Sequence, residues 1–173
     1  VKGLGLVCVT YCVGGFKLIN SMAGAYAEQS PVLILSGAPG VKERRNGLLL
    51  HHAAGPYESQ LEMFKKITCA TACLDDPTTA GREIDRVLDA IAYHKQPGYI
   101  EIPRDIVDRN LKYDVYSQAL PDPIVLDQEN LDEATEKAIE WVQRAKNPVI
   151  LAGVEMARSD LGSPFTKFVE RSN

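Results

Sequence analysis

Along the first hundred residues, short apolar runs alternate with longer stretches of helical period. Leu4 to Thr10 is β-rich, and Gly14-Gly15 breaks it. From Phe16 to Glu28 the apolar and small residues Phe16, Ile19, Ala23 and Tyr26, with Met22 beside them, recur at helical spacing. Pro31 opens VLILSG, which is apolar throughout and so reads as a strand buried on both faces. Residues 37–57 read as a long loop punctuated by Gly and Pro. A short helix is predicted from Glu58 to Lys66, then a strand over ITCATA. Asp76-Pro77-Thr78 signals a helix start, and Thr79 to His94 carries Ile84, Val87, Leu88 and Ile91 on one face. Gly98 to Ile102 reads as a further strand, ended by Pro103.

Beyond Arg104 the pattern changes. Residues 104–127 keep no period and hold Pro121 and Pro123, as a linker does. Glu129 to Lys146 is again a patterned helix (Leu131, Ala134, Ala138, Trp141, Val142, Ala145). NPVILAG reads as the buried first strand of a new α/β unit, and SPFTKFVERSN as helix-like. The expected fold is α/β: a parallel sheet covered by helices on both faces, followed by the beginning of a second α/β domain. Domain boundaries are set at 1–109, a linker at 110–127, and 128–173. Opening on a strand without Met, the chain is expected to be part of a longer one, truncated on both sides.

Composition narrows the function. The 173 residues are 45% hydrophobic and 24% charged, ordinary for a globular protein, and the net charge is -4. No basic stripe offers itself to nucleic acid. No apolar run approaches the roughly 18 residues of a membrane span, and no signal-peptide pattern opens the chain. The four cysteines form two C-x-x-x-C pairs, Cys8/Cys12 and Cys69/Cys73. Residues four apart on a strand stand about 13 Å from each other. They are therefore read as small buried thiols rather than as a metal site or disulfides, which fits a cytoplasmic protein.

In parallel sheets, ligands bind beyond the carboxyl ends of the strands. Three features fall there: the turn Thr10–Gly15, the loop after Ser36, and the end of GYIEIPR. The turn TYCVGGF leads into a helix N-terminus, whose N–H groups can hold an anion or acceptor. On local pattern a tight strand–helix connection is the plainer reading, and neither a dinucleotide nor a P-loop glycine pattern is present. His51-His52 stands between Gly47 and Gly55-Pro56. Two neighbours reach one site only in irregular backbone. In a concave site they can exchange protons near neutral pH. The plainer alternative is one buried structural histidine and one facing solvent. The KERR run, Lys42 to Arg45, reads as a solvated loop tip and His94 as a solvated helix end. Ser36-Gly37 lacks a G-x-S-x-G frame.

Taken in order, VTYCVGGFKLIN, SMAGAYAEQSPVLILSGAPG, LLLHHAAG, ESQLEMFKKIT and GYIEIPRD resemble the thiamine-diphosphate-dependent 2-keto-acid decarboxylases, in the branch of pyruvate, indolepyruvate and phenylpyruvate decarboxylases. The likeness covers about residues 3–109. It continues more weakly into NPVILAGVEMAR, which is similar to the opening of that family's central domain. The adjacent histidines are the most specific mark. EIPRD and GVEM lean towards the arylpyruvate branch.

The resemblance implies a domain that binds the cofactor's aminopyrimidine ring, with Thr10, Val13 and Gly14 against it and Val13 foremost. It implies that His51 and His52 lie over the reactive carbon and act on the substrate's carboxylate or developing alkoxide. The implied reaction converts a 2-keto acid to an aldehyde and carbon dioxide, with thiamine diphosphate and magnesium. The glutamate that protonates the aminopyrimidine and the magnesium–diphosphate motif are expected outside this chain, which alone is expected not to turn over substrate. A homodimer or homotetramer with the active site shared between subunits is implied too. Two alternatives are kept: a carboligase of the acetolactate synthase type, which usually lacks the histidine pair, and a non-catalytic α/β binding module.

Overall fold

The computed structural model describes residues 3–111 and 127–171, which fall into two compact units at those bounds. The first is built on four parallel strands: β1 (Gly5–Val9), β2 (Val32–Ala38), β3 (Ala70–Cys73) and β4 (Gly98–Pro103), in the order β1-β2-β4-β3. Between them run the helices α1 (Val13–Ala27), α2 (Val41–Asn46), α3 (Ser59–Phe64) and α4 (Ala80–His94). The expected α/β fold with a parallel sheet covered on both faces is what forms.

Strand alternation divides the core in two. Leu33, Ile100, Ala70 and Ala72 face α4, where they pack on Val87 and Ile91. Ile34 and Tyr99 face the other side, with Phe64 of α3 and with Leu18, Ile19 and Met22 of α1. Phe64 and Tyr99 stack face to face, centroids 4.2 Å apart and 4° from parallel. Such a pair adds about 0.5–1.5 kcal/mol beyond the area it buries. The apolar spacing Ile84-Val87-Leu88-Ile91 thus faces the core as the period requires, and VLILSG is buried from both sides. Gly98 allows α4 this close: a Cβ there would stand 2.6 Å from Ile91 Cδ1.

Three expectations are corrected. The stretch 37–57 is not all loop, because Val41–Asn46 coils into α2. The carboxylate of Asp105 accepts the N–H of Val41 at 2.9 Å and of Lys42 at 3.3 Å, and Glu43 accepts that of Gly40 at 2.8 Å. These bonds satisfy the first turn's donors. Gly47, at φ 62°, ends the helix. KERR is therefore helical rather than a loop tip, and its Arg44 is half-buried. Nor are the thiols uniformly buried. All four are free, but only Cys12 is enclosed; Cys8 is exposed and Cys69 and Cys73 are partly covered. Cys12 lies in a turn, not in a strand.

The second unit holds α5 (Gln128–Arg144), α6 (Val154–Arg158) and α7 (Gly162–Arg171). Asp127 caps α5 by accepting the Asn130 N–H at 3.3 Å. The strand expected over NPVILAG does not form: Val149 and Leu151 are 93% and 96% exposed, and no strand among the described residues pairs with them. An apolar run becomes a strand only when a neighbour takes its hydrogen bonds. The expected linker at 110–127 lies outside the described residues, apart from Asn110, Leu111 and Asp127. Among the described residues no helix is long and apolar enough to cross a membrane.

Candidate active site at the carboxyl edge of the sheet

The ends of β1, β2 and β4 meet at one edge, as parallel register demands, and a cavity of about 350 Å³ opens there. Thr10 and Tyr11 line it just after β1, and Gly37, Ala38 and Pro39 at the end of β2. Glu43 of α2, Leu50, His51, His52 and Arg104 complete the wall. The volume is at the lower end of the range of small-molecule pockets.

The histidines reach the cavity together because of a turn. Ala53 N–H donates to the Leu50 carbonyl at 3.0 Å, so His51 and His52 occupy the two central positions of a β-turn. Their rings stand 3.8 Å apart, tilted by 31°. Both are exposed. The alternative of one buried and one solvent-facing histidine is thus not what forms.

The loop that carries them is tied to the β1 turn. Ala54 N–H donates to Cys12 Sγ at 3.2 Å, and the Tyr11 hydroxyl donates to the Tyr57 carbonyl at 2.9 Å. The Tyr57 hydroxyl in turn donates to the Leu48 carbonyl. Burial pushes the Tyr11 phenol up to about 12, with Cys12 and Glu101 adding to the effect, so it stays a donor at physiological pH.

The TYCVGGF turn connects β1 to α1 through Cys12, whose φ of 59° is rare for a residue with a side chain. Two of its N–H groups serve the fold itself. Cys12 N–H donates to Gln60 Oε1 at 2.6 Å and Gly15 N–H to the Thr10 carbonyl at 3.2 Å. Gly15 must lack a side chain, because a Cβ there would fall 2.2 Å from Gln60 Oε1. Of the residues that the resemblance singles out, Thr10, His51 and His52 line the cavity. Val13 and Gly14 do not. Val13 opens α1 and is 54% exposed.

A row of polar side chains, Gln60, Tyr99, Glu101 and Arg44, was not read as one group from the sequence. Gln60 and Glu101 are both fully buried. Gln60 Nε2 donates to Ser36 Oγ at 2.7 Å and to the Tyr99 hydroxyl at 2.5 Å; that hydroxyl donates to Glu101 Oε1 at 2.8 Å. Arg44 of α2 closes the row on Glu101 Oε2 at 3.2 Å. Burial raises the Glu101 pKa, and the hydrogen bond from Tyr99 and the charge of Arg44 only partly offset it. A signal was present in the sequence: a lone carboxylate inside the apolar strand YIEIP must have a partner.

Residues 1–63 match the family described as thiamine pyrophosphate enzyme, N-terminal TPP binding domain. Over 168 residues the chain is 39% identical to an indole-3-pyruvate decarboxylase of Azospirillum brasilense, covering 97% of this chain and 30% of that one. It is 34% identical over 171 residues to a pyruvate decarboxylase of Neurospora crassa, covering 98% and 30%. Nearly the whole chain is thus similar to one part of curated indolepyruvate and pyruvate decarboxylases. Another relative in this decarboxylase group, pyruvate decarboxylase isozyme 1 of Saccharomyces cerevisiae, is 32% identical over 177 residues, 98% of this chain and 31% of that one. The chain spans under a third of the length of the curated decarboxylases it matches.

Proposed function

We propose that this chain is the aminopyrimidine-binding part, with the start of the central domain, of a magnesium- and thiamine-diphosphate-dependent decarboxylase of 2-keto acids in the pyruvate or arylpyruvate class. The observation that carries the reading is the β-turn that presents His51 and His52 together at the carboxyl-edge cavity, joined to the turn that holds Val13. Residues 1–109 make up the cofactor-binding domain in this reading, 110–127 the linker, and 128–173 the start of the next domain. The whole protein works in the cytoplasm as a homodimer or homotetramer with sites shared between subunits. The chain alone does not turn over substrate.

The fit to the cofactor rests on chemistry the first unit does contain. Val13 offers exposed apolar surface at the start of α1, and Thr10, Leu50, Ala38 and Pro39 give the cavity an apolar wall. A flat heterocycle needs such a platform, with polar groups at one edge only. When bound, thiamine diphosphate supplies the electron sink that lets carbon dioxide leave. His51 and His52 hydrogen-bond the substrate's carboxylate and keto oxygen, and hold or return the proton that the departing aldehyde needs. Help of this kind is worth roughly 10²–10⁴-fold in rate. The Cys12 and Tyr11 side chains, bonded to the loop's backbone at Ala54 and Tyr57, fix the loop against the cofactor turn, so that the imidazoles need little reorganisation.

Calorimetry on the whole protein with thiamine diphosphate and magnesium tests the cofactor, and product analysis tests the reaction. Saturable binding and release of carbon dioxide with one aldehyde are expected. Absence of binding sinks the enzyme reading, and an acetohydroxy acid as main product makes the protein a carboligase.

A further inference from the structure

We propose that the row Cys12–Gln60–Tyr99–Glu101–Arg44 is a positioning relay, coupling the turn that carries Val13 to the loop that carries His51 and His52. It starts at Cys12, the residue before Val13, whose N–H is held by Gln60 Oε1 at 2.6 Å. It crosses the sheet face through the Tyr99 hydroxyl, which receives Gln60 Nε2 and donates to Glu101. Finally it leaves the interior at Arg44, on the helix whose C-terminal Gly47 opens the histidine loop. The inference deepens the functional reading above and rests on it, since Val13 and the histidines matter together only if they face one reaction.

Three observations carry it. The row joins the two segments by a path of its own, separate from the direct bond between Ala54 and Cys12. Its members leave little slack: Gln60, Tyr99 and Glu101 are each 0% exposed, and no buried side-chain polar atom among the described residues lacks a partner. In a dry interior, displacing one member leaves the next unpaired, so a shift at one end is passed on rather than absorbed. Moreover, α2 is fastened to the end of β4 at three points: Arg44 on Glu101, Glu43 on Arg104, and Asp105 on the α2 N–H groups. A helix held this way moves as a body with β4. Apolar side chains would fill the same space at least as stably. A set of polar groups at this depth is best explained by the positions it fixes.

The test uses NMR on the intact chain and needs no cofactor. The Val13 methyl signals and the imidazole signals of His51 and His52 are followed, with His94 at the end of α4 as internal reference. Arg44→Gln is expected to move the His51, His52 and Val13 signals and to leave His94 in place. Tyr99→Phe cuts the row in the middle. In that background Arg44→Gln should still move the histidines but should move Val13 less, by what the direct bond from Ala54 to Cys12 alone passes on. The relay is overturned if Arg44→Gln leaves Val13 unmoved, or moves it equally with Tyr99 absent. Gln60→Met makes the same interruption if Tyr99→Phe does not fold, and the single Arg44→Gln comparison decides against the relay by itself. Loss of the relay would leave cofactor binding by the whole protein intact, whereas failure of that binding would leave the NMR coupling intact.

Discussion

Cys12 Sγ accepts the backbone N–H of Ala54 at 3.2 Å, binding a strained turn to the loop that carries two histidines. The same residue holds a φ of 59°, which costs a side chain about 1–2 kcal/mol. The two effects can be separated by substitution. Cys12→Ala keeps the strain and loses the bond; Cys12→Gly loses both. Glycine is expected to be the more stable of the two by about 1 kcal/mol in denaturant melts. Both variants should speed hydrogen exchange at the Ala54 amide, and equal exchange rates in parent and variants would mean that the sulfur does not hold the loop.

Two glycines of α1 should respond in opposite directions. Gly15→Ala drives a methyl into Gln60 Oε1 and breaks a buried bond, with an expected loss of about 2–4 kcal/mol. Gly24 is exposed in the same helix, with nothing within 4 Å of an added Cβ. Gly24→Ala should therefore gain about 0.5–1 kcal/mol. Thermal melts of the two variants side by side check both signs.

Much of this is legible in the sequence alone. Parallel α/β architecture follows from strands that read as unbroken apolar runs between amphipathic helices, and VLILSG and the Ile84–Ile91 face behave as such patterns must. The neighbourhood of Thr10 and His51-His52 followed from one topological rule, that strand ends share an edge. What escaped has a common cause. Gln60, Arg44 and Glu101 are far apart in sequence; Gln60 and Arg44 each pass alone for a surface group, and Glu101 in its apolar strand signals a partner without naming it. Only register, which sets Glu101 beside Ser36 and Cys73, brings them together. The strand over NPVILAG failed for the opposite reason: local pattern promised what only a neighbouring strand can deliver.

Glu101 gives a pH signature. Its folded pKa is raised, so its contribution to stability is fully present below the unfolded value of about 4.3 and is lost as pH rises through the folded value. Glu101→Gln stays neutral at every pH. The cost of that substitution should be largest in acid and should shrink towards neutral pH. Melting temperatures of both proteins at several pH values check this, and a gap that widens with pH would contradict it.

Asp105 should behave in reverse. The N–H groups of Val41 and Lys42 hold its carboxylate below the ordinary range, the Val41 bond foremost. Its contribution is present above about pH 3.9 and is lost as pH falls through the folded value. Asp105→Asn should therefore lower the melting temperature at neutral pH and converge on the parent in acid.

Because His51 and His52 are exposed, replacing either should leave stability within about 0.5 kcal/mol. In the whole protein, His51→Ala or His52→Ala should cut turnover at least about tenfold while cofactor binding persists. Two variants that decarboxylate at the parent rate would remove the histidines from the mechanism.

The strand order β1-β2-β4-β3 also has a consequence in time. β4 is the last of the four strands to be synthesised, yet it lies between β2 and β3, and among the described residues it is the one strand that pairs with β3. Until Pro103 has emerged from the ribosome, β3 cannot pair with β4, and Tyr99 and Glu101 are not yet available to Gln60. Pairing Leu33 with Gly98 closes a long stretch of chain, the kind of contact that slows folding. The β1–β2 pair can form early, but the joining of β3 to it and the closing of the polar row are thus late events, and ribosome-bound chains ending before β4 should show neither of these two.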